Sequence, residues 1–247
     1  MDRMIYVAMT GAREVSQQLA VVSHNLANIS TTGFKSEMSV FRALPTVGEG
    51  AKTRAYVLET TPSSDYSSGV LQATGRNLDV SVNGSGWIAV QGSDGQEAYT
   101  RMGDLQTSSN GVLQTGTGLT VLGDGGPIAV APGQQILIGK DGTVSTTPIG
   151  QKQNTVTIAG QIKLVNPPET DLVRGDDGLF RLRSGQPAPT DTNVTLAVGT
   201  LESSNVNPTD ALVKMISLGR QFDLQMRVLS AANDNDKDAT KILAVTA

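Results

Sequence analysis

The feature that most constrains this chain is its final stretch, which is helical in pattern for longer than any small domain can bury. Asn207 suits a helix N-cap, Pro208 the first helical position, and Asp210 the positive end of the dipole. Leu212, Met215, Gly219, Phe222, Met226 and Leu229 then recur at steps of three and four, the spacing of a coiled-coil seam. The seam runs on through Asn233, Asp236, Thr240 and Leu243, where its first three positions turn polar. No Gly or Pro follows Gly219. A helix from Pro208 to about Val245 would reach roughly 55 Å at about 1.5 Å per residue.

The N-terminus carries the same signal. Ile5, Ala8, Ala12, Val15, Leu19, Val22 and Leu26 step by three and four, and Arg13, Glu14, Ser16, Gln17 and Gln18 fill much of the remaining surface. The pattern stops near Asn28, and Thr31-Thr32-Gly33 breaks it, with Gly33 free to take positive φ. An ordinary amphipathic helix lying on its own core would read the same way. Two seams at opposite chain ends most simply pair with each other or with copies of themselves.

Between the ends the period changes to two. Leu78, Val80 and Val82 alternate with Asp79 and Ser81; Asn83-Gly84-Ser85-Gly86 then turns the chain into Trp87-Ile88-Ala89-Val90. Similar short runs are Val121-Leu122, Ile136–Ile138, Val156/Ile158, Ile162/Leu164, Phe180/Leu182 and Val194/Leu196/Val198. Turn signals such as Ser93-Asp94-Gly95, Asn110-Gly111, Lys140-Asp141-Gly142 and Asp176-Asp177-Gly178 separate them. Strands at this spacing predict an antiparallel sandwich or barrel-like module. Gly48 to Ser68, rich in Thr and Ser, reads as a loosely structured connector. The expected fold is therefore α+β: terminal helices in 1–35 and 206–247, a connector over 36–77, and a mostly antiparallel β-rich domain over 78–205.

Composition narrows the function. With 19 basic against 23 acidic residues and a net charge of −4, no dominant positive field exists to hold nucleic acid. There is no cysteine, so disulfides and thiolate metal sites are excluded. The apolar run Ile5–Met9 is shorter than a signal-peptide core, and no segment approaches the roughly 20 apolar residues of a membrane span. The expectation is export without a cleaved leader and no membrane insertion.

No catalytic constellation survives inspection. His24 is the only histidine, sits late in an amphipathic helix, and has no Gly-x-Ser-x-Gly nucleophile elbow to serve. Asp234, Asp236 and Asp238 resemble the start of a calcium loop, but the sixth position is Ala239 and the twelfth Val245. The glycine clusters at Gly84–Gly86 and Gly116–Gly126 lack phosphate-loop spacing, and Asp176-Asp177 is an ordinary turn pair. Catalytic residues, metal ligands and cofactors are all expected to be absent.

The most specific signal is a resemblance. Ser23-His24-Asn25-Leu26-Ala27-Asn28-Ile29-Ser30-Thr31-Thr32-Gly33-Phe34-Lys35 resembles the N-terminal signature of flagellar rod and hook proteins. Three further blocks agree: Gly69-Val70-Leu71 through Gly84-Ser85-Gly86-Trp87; Tyr99-Thr100-Arg101-Met102-Gly103-Asp104 through Gly111-Val112-Leu113; and Leu201-Glu202-Ser203-Ser204-Asn205-Val206-Asn207-Pro208. Met1-Asp2 with Ile5-Tyr6 and Ala8-Met9, and Trp87, are similar to proximal-rod rather than distal-rod members. The resemblance implies a structural subunit of the basal-body rod, in the periplasm, which transmits torque and conducts exported subunits. Its partners would be other rod subunits, copies of itself, and the export apparatus in transit.

It further implies that paired terminal helices line a tube with the β domain outside. The implied assembly interface takes in Ile5, Ala8, Ala12, Val15, Leu19, Val22, Asn25, Leu26, Asn28, Gly33 and Phe34, with Leu212, Met215, Gly219, Phe222, Met226 and Leu229. A secreted β-rich adhesin would explain the Gly- and Thr-rich middle but not the two seams. An enzyme or lectin would need converging polar groups in a pocket.

Overall fold

The computed structural model describes residues 4–45, 55–131, 133–148 and 156–245. The fold is α+β, with two helices and a mostly antiparallel β-rich middle. The chain divides into two compact units: one holds 1–29, 36–65 and 206–247, the other 30–35 and 66–205. Met1 and Asp2 lie outside the described residues.

In the first unit, helix α1 spans Met4–Ala27 and helix α2 spans Pro208–Val245. Both lie where the seams predict them. Asn207 caps α2: its Oδ1 accepts the Thr209 and Asp210 backbone N–H groups at 3.0 and 3.4 Å. The connector segment 36–77 holds two long strands, the second of them inside the stretch 48–68 expected to be loose. Strand β1 (Glu37–Pro45) and strand β2 (Ala55–Ser64) form a long antiparallel hairpin, with one register shift between Met38 and Val40. The part of that connector over 46–54 lies outside the described residues. The base of the hairpin is closed by the Asp65 N–H donating to the Ser36 carbonyl at 2.9 Å.

The second unit is the β module. Its largest sheet runs Leu172–Arg174, Phe180–Leu182, Glu97–Thr100, Trp87–Gln91, Thr120–Gly123, Leu113–Thr115, Leu105–Thr107, all neighbours antiparallel. A three-stranded sheet, Gln134–Ile138, Thr143–Pro148 and Thr157–Gln161, and two small pairs complete it. The run Trp87-Ile88-Ala89-Val90 is apolar throughout because both faces of its strand are covered. Ile88 and Val90 enter one core with Leu105, Leu113 and Val121. Trp87 and Ala89 enter another with Tyr99, Leu172 and Phe180. Alternation along one strand thus feeds two separate clusters. In the second, Tyr66, Trp87 and Phe180 pack edge-on and tilted, with ring centroids 4.6–6.0 Å apart.

Candidate functional site

The features that the sequence marks for function lie in two places: the helix faces of the first unit, and the signature turn built into the second.

On α1, Ala8, Ala12 and Val15 are buried, while Ile5, Leu19, Val22 and Leu26 are half-buried. That stripe is the predicted one. On α2 the protected face is Ala211, Met215, Leu218, Phe222, Gln225, Leu229 and Ala232, again stepping by four and three. Met215, Phe222 and Leu229 were expected there. Leu212 and Met226 instead stand about half exposed, and Gly219 is half-buried beside the stripe. The sequence favours Leu212 and Met226 because they are the larger apolar groups. The structure turns the helix so that small Ala211 and Ala232 are covered instead. The two helices touch, and a Cβ on Gly11 would stand 3.3 Å from the Gln225 side chain, so glycine there admits a polar chain into the seam. The side chains of the seam positions Asp236, Thr240 and Leu243 lie outside the described residues.

The end of α1 is tied to the start of β1. The buried Asn25 side chain donates from Nδ2 to the Glu37 carbonyl and accepts the Glu37 N–H at Oδ1, both at 2.8 Å. His24 Nδ1 lies 3.2 Å from Glu37 Oε2. Asn28 Nδ2 donates back to the His24 carbonyl at 2.9 Å. These residues of the signature therefore have tasks inside the unit: they close the helix and redirect the chain. Asp234 and Asp238 each meet a lysine one turn on, Lys237 and Lys241, at 3.1 Å on the surface. Among the described residues no cluster of three or more His, Cys, Asp or Glu is arranged to hold a metal.

The turn over 30–35 belongs to the β module. Gly33 has φ +66°, and any Cβ there would run into the Arg101 backbone carbonyl, so the position tolerates only glycine. Its N–H donates to the Glu202 carbonyl at 2.7 Å. Phe34 is buried, with the Arg174 guanidinium 4.6 Å above its ring. Lys35 is completely buried; its Nζ reaches Glu202 Oε1 at 2.6 Å and the Ser67 carbonyl at 2.7 Å. The other oxygen of Glu202 takes Arg101 Nη1 at 3.0 Å, and Oε1 also accepts the Gly69 N–H at 2.9 Å. Arg101 Nη2 donates to the Gly84 carbonyl at 2.7 Å, and the guanidinium lies 5.4 Å from the centre of the Trp87 ring.

This buried triad joins Lys35, Arg101 and Glu202, one residue from each of three sequence blocks that are far apart. All three stand in the motifs that carry the resemblance, but nothing in the sequence connects them. Charge spacing carries no signal for such a contact.

Two titrations mark how closed the module is. Burial pushes the Tyr99 phenol up to about 12; its Oη accepts the Ala188 N–H at 2.6 Å, which opposes the shift, and donates to Glu97 at 2.9 Å. Burial also raises the Asp104 carboxyl, against the Thr32 hydroxyl that donates to it at 3.3 Å.

The triad and the glycine-locked turn hold the β module closed, and the two helices carry apolar stripes. Three family models cover matching segments. "Flagella basal body rod protein" matches residues 5–35, "Flagellar hook protein FlgE/F/G D1 domain" 81–146, and "Flagellar basal body rod FlgEFG protein C-terminal" 197–242. Over its whole length the chain is 40% identical to the flagellar basal-body rod protein FlgF of Salmonella typhimurium and 41% identical to that of Escherichia coli, covering all of each. FlgG of Bacillus subtilis is 31% identical over 95% of this chain and 96% of its own. The chain belongs to the flagellar basal-body rod protein family, and its resemblance to FlgF exceeds its resemblance to FlgG. Among the described residues no helix is long and apolar enough to cross a membrane.

Proposed function

We propose that this protein is the FlgF-type subunit of the proximal rod, a purely structural part with no catalytic, cofactor or metal chemistry. The observation that carries this reading is end-to-end similarity to FlgF of two organisms, at 40% and 41% identity, with nothing large inserted or lost. In the assembled rod, α1 and α2 act as a coiled-coil pair lining a tube, and the β module stands outside. Neighbours are other rod subunits and copies of itself, in head-to-tail contacts that do not close and so build a helical stack. The subunit travels through the flagellar export apparatus to the periplasm. It contacts neither nucleic acid nor membrane. The terminal helices take their final order only on docking, because ordering entropy is repaid there.

The assembly interface on this reading takes in the α1 stripe from Ile5 to Leu26, with Asn25, Asn28, Gly33 and Phe34 setting its exit. On α2 it includes Leu212, Met215, Gly219, Phe222, Met226 and Leu229. The test is complementation of a strain lacking the gene, followed by purification of basal bodies. We expect the wild-type chain to be found in the rod and to restore filaments. The Phe222→Asp and Met226→Asp variants should be expressed and exported but give no rods. Complete basal bodies from cells lacking the chain would overturn the reading, as would a stoichiometric metal bound through His24 or Asp234.

A further inference from the structure

Asp79 and Asp104 stand directly opposite each other in an antiparallel β-bridge. Its two hydrogen bonds run from the Val80 N–H to the Gly103 carbonyl and from the Leu105 N–H to the Leu78 carbonyl, at 2.9 and 3.1 Å. These bonds flank the two aspartates rather than joining them. That is the closer kind of cross-strand pair, with both side chains on one face, where like charges repel. From this placement we infer that Asp79 and Asp104 share a single proton and so make the hold on the 30–35 turn depend on pH.

The surroundings offer too little positive charge for two carboxylates. Asp79 is buried, and its Oδ2 accepts the Thr74 hydroxyl at 2.6 Å. Among the described residues no hydrogen bond reaches its buried Oδ1. Arg76 Nη2 comes within 2.9 Å of that oxygen, but the guanidinium is solvated and the same nitrogen donates to the Leu105 carbonyl at 2.7 Å. Asp104 is half-buried; its Oδ1 accepts the Thr32 hydroxyl, and its Oδ2 fills the space that a Cβ on Gly116 would need. The charges acting on Asp104 are those of Asp79 and Arg76. One proton on Asp104 ends the repulsion while Thr74 and Arg76 keep serving Asp79.

Protonation has two opposite effects. Burial, and after it the Asp79 charge, raise the Asp104 carboxyl above its ordinary 3.8. The folded chain therefore keeps the proton to higher pH than the unfolded one, and the stability this contributes is lost as pH rises through the folded value. Thr32 pulls the other way, because its hydroxyl favours the ionised acceptor. By reciprocity, a proton on Asp104 weakens the grip of Thr32 on the turn. Acid thus relieves the strand pair and loosens the turn in the same step.

The test is a carbon-13 titration of the carboxyl groups in the full-length chain, with the Asp104 signal identified by its absence in Asp104→Asn. We expect Asp104 to titrate above 3.8, to move down in Asp79→Asn and to move further up in Thr32→Val. Asp104→Asn, a permanent stand-in for the protonated acid, should show a higher urea midpoint than the wild type at neutral pH by Trp87 fluorescence. That gap should close as pH falls. An Asp104 that titrates at or below 3.8, or that ignores Asp79→Asn, would overturn the shared proton. So would an Asp104→Asn midpoint below the wild type at every pH. Should Asp79→Asn fail to fold, Thr32→Val still decides, since an unmoved Asp104 titration there would overturn the link to the turn.

Discussion

The two units bury their side chains in opposite ways. In the β module Ile88, Leu105, Leu113, Val121 and Val144 are fully enclosed, and even the charges of Lys35, Arg101 and Glu202 are sealed from water. Among the described helix residues of the first unit, the buried apolar side chains are Ala8, Ala12, Val15, Ala211 and Ala232, four of them alanines. Several of its larger apolar groups, Tyr6, Met9, Val213, Ile216 and Leu224, face outward, and Met215, Phe222 and Leu229 are only half-buried. Burial of a methyl group stabilises far less than burial of a leucine or an aromatic ring. The β module therefore encloses large apolar groups, whereas the described helices enclose mainly small ones and leave several large ones exposed.

The contrast breaks most easily at the triad. Glu202→Gln leaves Lys35 and Arg101 as buried cations without their shared anion, at a cost of about 3–5 kcal/mol. Trp87, the only tryptophan, lies against Arg101 and reports the loss as a lower urea midpoint in its fluorescence. A shift below 1 kcal/mol would mean that the triad is not what closes the module. Next in size is a matched pair of truncations. Leu113→Ala empties a fully buried site and should cost about 3 kcal/mol, whereas Leu212→Ala, half exposed on α2, should cost under about 1 kcal/mol. Equal costs by denaturant titration would erase the difference between the units.

Alkali offers a third handle. The unfolded Tyr99 phenol loses its proton near its ordinary 10.0, while the folded one holds it to about 12. The unfolded chain is thus favoured as pH rises through that window, and about 2–3 kcal/mol of module stability should drain away. In Tyr99→Phe that part of the slope of melting temperature against pH should vanish. The smallest effect belongs to the other unit. Asn207→Ala removes the cap of α2 and should cost about 1 kcal/mol of helix stability. Far-UV circular dichroism should register it, and Trp87 fluorescence should hardly change.

What could be read from the sequence follows the same division. Both helices were legible to within a residue or two, because Asn207-Pro208 and Gly33 punctuate a regular three-four pattern. The strands around Trp87 were legible through period two and glycine turns. The β1–β2 hairpin was not, since Ser, Thr and charged residues along Glu37–Pro45 and Ala55–Ser64 give no clean alternation. The rotation of α2 was hidden for a related reason. A helix apolar on more than one face offers several equally good seams, and only its partner selects one. The triad was beyond reach because Glu202 lies 167 positions from Lys35 and 101 from Arg101.

The pairing of the two segments that enter and leave the β module has one more consequence. Gly33 donates to Glu202, the Asn205 N–H donates to the Phe34 carbonyl at 3.3 Å, and the Asn205 Nδ2 donates to the Ser67 carbonyl at 3.2 Å, so the 30–35 turn and the two ends of the 66–205 segment lie side by side. Everything from Tyr66 to Ser204 is thereby a cassette with adjacent ends. Such an insert can be lengthened, shortened or exchanged without changing where the flanking chain must start and stop. A lineage could remodel this module freely, provided that Gly33 and the three buried charges remained where its ends meet.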